Sequence, residues 1–351
     1  MVQLRPERTG RCEGSTTVER VKWGILGLGW FGEKHAEALS GIPTVELHSM
    51  CRRSEEPLKQ TAAEFGVPNT YTDYNEMLTD PELQVVSVTT MWDQHVAPAV
   101  AALEAGKHVF LEKPMASTVA DCRTIVDAAN ASDRYFMVGH ICRFNPRYAA
   151  AKREIEAGNI GEVVSAYARR NIPAFVGAQV LPKIGPIIGD GVHDMDLILW
   201  YTRAKVVSAY AQTHTFNDYA NPDSGWSMFR LDTGATVVLE NNWCLPDGTA
   251  FQIDERIEII GTKGSIHVHE THPNFSVCKD GAFTSPDTTY WPELHGIRAG
   301  ALRDELNYFA TCVLLGQKPS VITPEESMAA VEACLAAEEA ARTGQVVYLN
   351  K

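Results

Sequence analysis

Residues 21–41, "VKWGILGLGWFGEKHAEALSG", limit the fold more than any other stretch. A short apolar run ends in glycines, and a segment with helical spacing follows, closed by Gly41. Gly27, Gly29 and Gly32 form a GxGxxG between strand and helix, with Leu28, Trp30 and Phe31 between them. Such a turn after a strand is the form of a dinucleotide-binding loop. Gly27 permits a tight turn, Gly29 lets a pyrophosphate approach the backbone, and Gly32 lets the helix pack closely on the strand. Free N–H groups at the helix start then face the phosphates.

The residue that selects the cofactor is expected ~20 positions further on, at the end of the second strand. There the chain reads "CRRS", with Arg52 in the position usually held by Asp or Glu, then Arg53 and Ser54. A carboxylate repels a ribose 2′-phosphate, whereas a guanidinium binds it at two points. The sequence therefore favours NADP, with NAD as the alternative.

Strand and helix alternate throughout 21–141, which implies a parallel sheet covered on both faces. After about residue 145 the pattern changes. One helix leads into a succession of strands, several joined by turn pairs such as Thr233-Gly234 and Lys263-Gly264. Two helices near 300–315 and 324–342 and a short strand "QVVYL" end the chain. The expected organisation is an α/β protein with three parts. Residues 1–20 are a poorly ordered extension, 21–142 a Rossmann domain, and 143–351 an α+β domain with a mostly antiparallel sheet and helices on one face.

The 351 residues carry a formal charge of −13, spread along the chain. That weighs against nucleic acid and anionic membranes as partners. No segment approaches ~20 unbroken apolar residues, and the N-terminus lacks the apolar core of a secretory signal. The eight cysteines are scattered without a CxxC pair, as in reduced, cytoplasmic proteins.

Two polar stretches stand out. "LEKP" puts Glu112 and Lys113 at a strand end on the carboxyl edge of the parallel sheet, where such sheets bind ligands. "IIGDGVHDMDLILWY" gathers Asp190, His193, Asp194 and Asp196 within seven positions. A metal site there lacks a matched ligand cluster elsewhere. Asp194 and Asp196 read as helix-end and surface residues. "HVHETH" also invites a metal, through His267, His269 and His272, but suits a solvated strand end equally well. No metal is expected.

These features together resemble the Gfo/Idh/MocA oxidoreductases, typified by glucose-fructose oxidoreductase and inositol dehydrogenase. The resemblance runs through "GILGLGWFGEKHAEAL", "VTTMWDQH", "ALEAGKHVFLEKP", "VGHICRFNPRY", "GNIGEV", "GVHDMDLILW" and the ending "TPEESMAAVEACLAAEEAARTGQVVYL". It implies hydride transfer between a nicotinamide and a secondary alcohol or ketone of a sugar or cyclic polyol. It also implies a homodimer or homotetramer built through the large, open C-terminal sheet. By this resemblance Lys113 contacts the nicotinamide ribose and the reacting oxygen, and His193 is the acid–base group. Thr90, Trp92 and His95 lie beside the cofactor, although Met91 and Trp92 replace the family's usual Pro-Asn.

The family often has Asp four residues before the histidine. Here that position is Gly189, and Asp190 is either a substitute, one residue displaced, or a helix N-cap. Arg143, Asn145 and Lys183 are further candidates for holding a polyhydroxylated substrate, Lys183 otherwise being an exposed loop charge. Two other functions suit the same fold: a glycosidase that uses bound NAD transiently, and a non-catalytic NADP(H)-binding module.

Overall fold

Short stretches of three to seven residues, most of them largely apolar and bounded by glycines and polar turns, become the six strands of the first sheet. They are β1 (Val21–Leu26), β2 (Val45–Cys51), β3 (Asn69–Tyr71), β4 (Val85–Val88), β5 (His108–Glu112) and β6 (Phe136–Gly139). This computed structural model describes residues 19–246, 248–270 and 275–349. The extension expected over 1–20 therefore lies almost wholly outside the described residues, as does His272. All pairings in the first sheet are parallel, in the order β3-β2-β1-β4-β5-β6. The order reverses between β1 and β4, which opens a crevice at their carboxyl ends. Every residue of β4 and β6 is buried, as a sheet covered on both faces requires.

Helices α1 (Trp30–Ser40), α2 (Glu55–Phe65), α3 (Tyr74–Leu78), α4 (Val96–Glu104) and α5 (Val119–Ala131) connect these strands. The strand alternation ends at α6 (Pro146–Glu156), near the expected break. The second sheet contains β7 (Val163–Asn171), β8 (Val206–His214), β9 (Ser224–Leu231), β10 (Thr236–Asn242), β11 (Asp254–Gly261) and β12 (Ser265–His269). Its order is β12-β11-β7-β10-β9-β8, with Val347–Tyr348 added beyond β8. β7 and β10 are parallel, and the other pairs are antiparallel. In β9 burial alternates strictly from Gly225 onward, so one face packs on helices and the other is open. Trp226 and Met228 stand on the open face, about half exposed, with Tyr210 beside Met228 across the ladder.

Between β7 and β8 the chain forms α7 (Ala174–Val180), α8 (Pro186–Gly189) and α9 (Gly191–Thr202); α10 (Ala301–Leu315) and α11 (Pro324–Thr343) follow the sheet. The two last helices fall where the sequence puts them. α11 begins with a reciprocal cap between Thr323 and Glu326 and touches both α5 and α9. α10 does not stay with the second sheet. Its Phe309 ring lies 5.8 Å from both Trp23 of β1 and Phe110 of β5. The segment 143–351 thus returns one helix to the first sheet.

Candidate active site

The glycine loop has the form that a pyrophosphate requires. Gly27 has φ +103°, and a Cβ there would stand 2.8 Å from the Thr89 carbonyl carbon. A Cβ on Gly32 would overlap the Gly27 carbonyl oxygen, whereas Gly29 faces open space. Thr89 Oγ1 donates to the Gly27 carbonyl at 2.5 Å and fixes the turn to the end of β4. No side chain caps the start of α1, so its N–H groups remain available to an anion. These residues fit a dinucleotide. Leu28 turns into the core and contributes only backbone. Phe31 packs on His35 and Trp291, and exposed Trp30 meets Trp291 edge-on at 5.7 Å.

At the end of β2, Arg52 is partly exposed, with Nη1 3.8 Å from Glu33 Oε1. It lines a pocket of about 220 Å³ with Glu33, Glu37 and Gln60. Arg53 and Ser54 are exposed beside it.

The loops after β4 and β5 are joined through His95. Its buried ring lies with Nε2 3.0 Å from the Thr90 carbonyl and Nδ1 3.0 Å from the Pro114 carbonyl. His95 is thus a strut between two backbone segments. Thr90 Oγ1 donates to the Gln94 carbonyl, and Trp92 packs half-buried against the core. Glu112 turns inward, away from the ligand-binding edge on which the sequence puts it: Oε1 lies 3.0 Å from His35 Nε2 of α1. The adjacent Lys113–Pro114 peptide is cis. Lys113 points the other way, and its ammonium donates to the Gly189 carbonyl at 3.0 Å. That contact joins the "EKP" loop to the turn before α9.

Helix α9 is buried from Gly191 through Tyr201. A helix buried all round must pair its polar residues internally. Asp194 and Asp196 are therefore not surface or helix-end residues. Asp194 Oδ1 accepts from Arg170 Nη2 at 3.1 Å, and Asp196 takes both Nε and Nη2 of Arg143 at 2.8 and 2.6 Å. Arg143 also donates to the Val321 carbonyl and to Glu326. Only 2% exposed, it is a clamp between α9 and α11, not a substrate ligand. Asn145 is fully buried, and its Oδ1 caps α6 by accepting from the Arg147 N–H. Its buried Nδ2 has no hydrogen-bond partner among the described residues. Lys183 is exposed in the turn between α7 and α8.

Asp190 occupies the N-cap position of α9 but does not cap the helix through its side chain. Instead Oδ2 accepts the indole N–H of Trp243 at 2.8 Å. The same indole explains the glycine before it: a Cβ on Gly189 would stand 2.5 Å from Trp243 Cη2. An aspartate at 189 would collide with that ring. Trp243 lies 53 residues beyond Asp190 and carried no signal in the sequence.

His193 is buried, with Nδ1 3.7 Å from Cys142 Sγ. Burial, then the positive charges of Lys113 and Arg170, push its pKa well below the ordinary imidazole value. The ring is neutral at pH 7 and can accept a proton. Around it lie groups that sequence reading passed over: Cys142, Arg170, Glu255 and Tyr290. The available signal was the charge content of α9 itself, since buried aspartates demand buried cations.

On the second sheet, Glu258 pairs across the ladder with His267. Ligand atoms of Glu258, His267 and His269 lie within 4.8 Å of one another, but Glu258 also holds Arg256 at 2.8 Å. The described cysteines are free thiols. Among the described residues no helix is long and apolar enough to cross a membrane.

Residues 21–140 match the family model described as an oxidoreductase family with an NAD-binding Rossmann fold. Residues 148–267 match the GFO/IDH/MocA C-terminal domain. The chain is 28% identical over 343 residues to scyllo-inositol 2-dehydrogenase (NAD(+)) of Bacillus subtilis, covering 94% of this chain and 97% of that protein. It is 32% identical over 263 residues to inositol 2-dehydrogenase of Acidothermus cellulolyticus, covering 73% and 75%. Its fold is similar to that of scyllo-inositol dehydrogenase from Lactobacillus casei, solved with NAD(H) and scyllo-inositol. There the TM-score is 0.81 at 22% identity, over 94% of this chain and 99% of that one.

Proposed function

Because the chain belongs to the Gfo/Idh/MocA family of oxidoreductases, we propose that it transfers hydride between a nicotinamide and a secondary alcohol of a cyclic polyol or sugar. The observation that carries this reading is the Lys113–Gly189 contact, which brings the "EKP" lysine to the start of the helix bearing His193. The curated inositol dehydrogenases among its relatives favour an inositol as substrate.

The glycine loop and the start of α1 would hold the dinucleotide, whose nicotinamide supplies the hydride acceptor. Neutral His193 takes the hydroxyl proton, a role that suits an uncharged imidazole. Lys113 stabilises the negative charge that develops on oxygen. Asp190 is held by Trp243 at the base of α9 and orients the turn whose carbonyl Lys113 contacts.

Arg52 supports NADP over NAD. It replaces the acid that would bind a ribose 2′-hydroxyl, and its one ion pair among the described residues is long. The half-exposed Trp226 and Met228 support self-association through the open sheet face. A panel of inositols and sugars with each nicotinamide tests the reaction. Reduction of cofactor by a polyol is expected. Turnover of a glycoside without net cofactor reduction would overturn it.

A further inference from the structure

His193 stands at one end of a buried line of hydrogen-bonding groups that leads away from the lysine. Cys142 Sγ lies 3.7 Å from His193 Nδ1 and 3.6 Å from Tyr290 Oη. The Tyr290 hydroxyl donates to Glu255 Oε1 at 2.5 Å. All four side chains are buried, and they come from four separate stretches of chain. Such a line through distant segments is costly to assemble unless each polar group is satisfied by the next.

The charges facing this line explain why it would be used. His193 is faced by Lys113 at the end of β5, Arg170 of β7 and His140 after β6, and all three oppose a second proton on the ring. Glu255 is faced by Arg170, Tyr290, Asp194 and Glu270. Arg170 donates both to Glu255 and to Asp194, and its Nη2 lies 3.5 Å from Cys142 Sγ. Burial, opposed by Arg170 and Tyr290, pushes the Glu255 carboxyl up to about 7. It can therefore gain and lose a proton near neutrality. The Tyr290 phenol, with its pKa pushed up by burial, keeps its own.

We propose that Cys142, Tyr290 and Glu255 form an internal proton store for His193, which keeps the imidazole neutral while the alcohol is oxidised. The inference rests on the reading of His193 as the base. The alcohol carbon gives its hydride, with two electrons, to the nicotinamide. Its oxygen gives a proton to Nε2 of His193. As that bond forms, the Nδ1 proton passes to Cys142 Sγ, the thiol proton to Tyr290 Oη, and the phenol proton to the Glu255 carboxylate. Cysteine and tyrosine end with as many protons as they began, and no electron crosses the line. After product leaves, Nε2–H is lost to water and the three protons step back, restoring the first tautomer. Cys142, Tyr290 and Glu255 act through His193 and are positioning residues.

The test pairs kinetics with a measurement on the cofactor-free protein. Cys142→Ala and Tyr290→Phe each break the line but keep the Arg170–Glu255 pair. Each should lower kcat about tenfold with KM unchanged, less than the roughly hundredfold or more expected for removing an acid–base group itself. Cys142→Ser, which keeps a hydroxyl in place of the thiol, should restore most of the loss. A bowed proton inventory of kcat, the mark of several protons in flight, should become linear in Cys142→Ala. Infrared titration of the cofactor-free protein, read as the difference between wild type and Glu255→Gln so that Glu338, also pushed up to about 7 by burial, cancels, should show a carboxylic acid band with a midpoint near 7. Wild-type kcat and a bowed inventory in Cys142→Ala or Tyr290→Phe would overturn the store and leave His193 as base. Absence of the infrared band would also overturn it. Full turnover by His193→Ala would instead remove the base itself, and both readings with it.

Discussion

Trp243 donates its indole N–H to Asp190 at 2.8 Å, and the same ring fills the space that any side chain on Gly189 would need. Tryptophan, aspartate and glycine are therefore one coupled choice. Gly189→Ala should cost about 1–3 kcal/mol through overpacking, read from urea denaturation. Trp243→Phe in the same chain should recover part of that cost, a coupling that a double-mutant cycle measures directly. Additive effects would refute it.

Lys113→Ala should lower kcat about a hundredfold, the scale of losing one electrostatic contact to a developing oxyanion. Cofactor binding, followed by fluorescence titration, should remain measurable. Undiminished turnover would remove Lys113 from the chemistry.

Arg52→Asp should shift the NADP/NAD preference toward NAD by about tenfold or more, roughly 1.4 kcal/mol in differential binding. The ratio of kcat/KM for the two cofactors is the measurement. An unchanged ratio would show that the guanidinium is a solvated bystander.

His108 gives a pH signature. Its Nδ1 accepts the Tyr135 N–H at 2.8 Å, and burial, then the Arg134 charge, lowers its pKa to about 4. Above the ordinary value of about 6.5 the ring is neutral in both folded and unfolded chains. As pH falls below that value the unfolded chain takes up a proton that the folded one refuses. Stability is therefore lost between about 6.5 and about 4, where the folded ring also protonates. After discounting for partial exposure, about 1 kcal/mol is at stake. His108→Asn, which keeps an acceptor, should flatten that part of the stability profile. An unaltered slope would assign the acid sensitivity to other groups.

Met228→Lys on the open face of the second sheet should shift sedimentation toward a smaller species if that face joins copies of the chain. An unchanged sedimentation coefficient would point to a different surface.

The legible parts of this molecule were those set by short-range pattern. GxGxxG after an apolar run placed the first crevice, and a succession of strands joined by turn pairs such as Thr233-Gly234 placed the second sheet. What could not be read was pairing across long separations. Arg143 looks like a free cation in sequence, and only the fold brings Asp196 and Glu326 to it. Glu112 and Lys113 are neighbours in an evident motif, yet the strand end sends one inward to His35 and the other to Gly189. Residue type predicted chemistry well where a strand or helix end fixed direction, and poorly where a buried partner decided it.

The return of α10 to the first sheet bears on the order of events during synthesis. Trp23 and Phe110 find part of their aromatic packing only in Phe309. On the ribosome, the six strands of the nucleotide-binding half emerge with that apolar face bare, and it remains so until the whole second sheet has been made. Residues 19–142 cut out alone would keep the bare face permanently and be prone to aggregate. The two halves are thus distinct architectures that share part of one aromatic core.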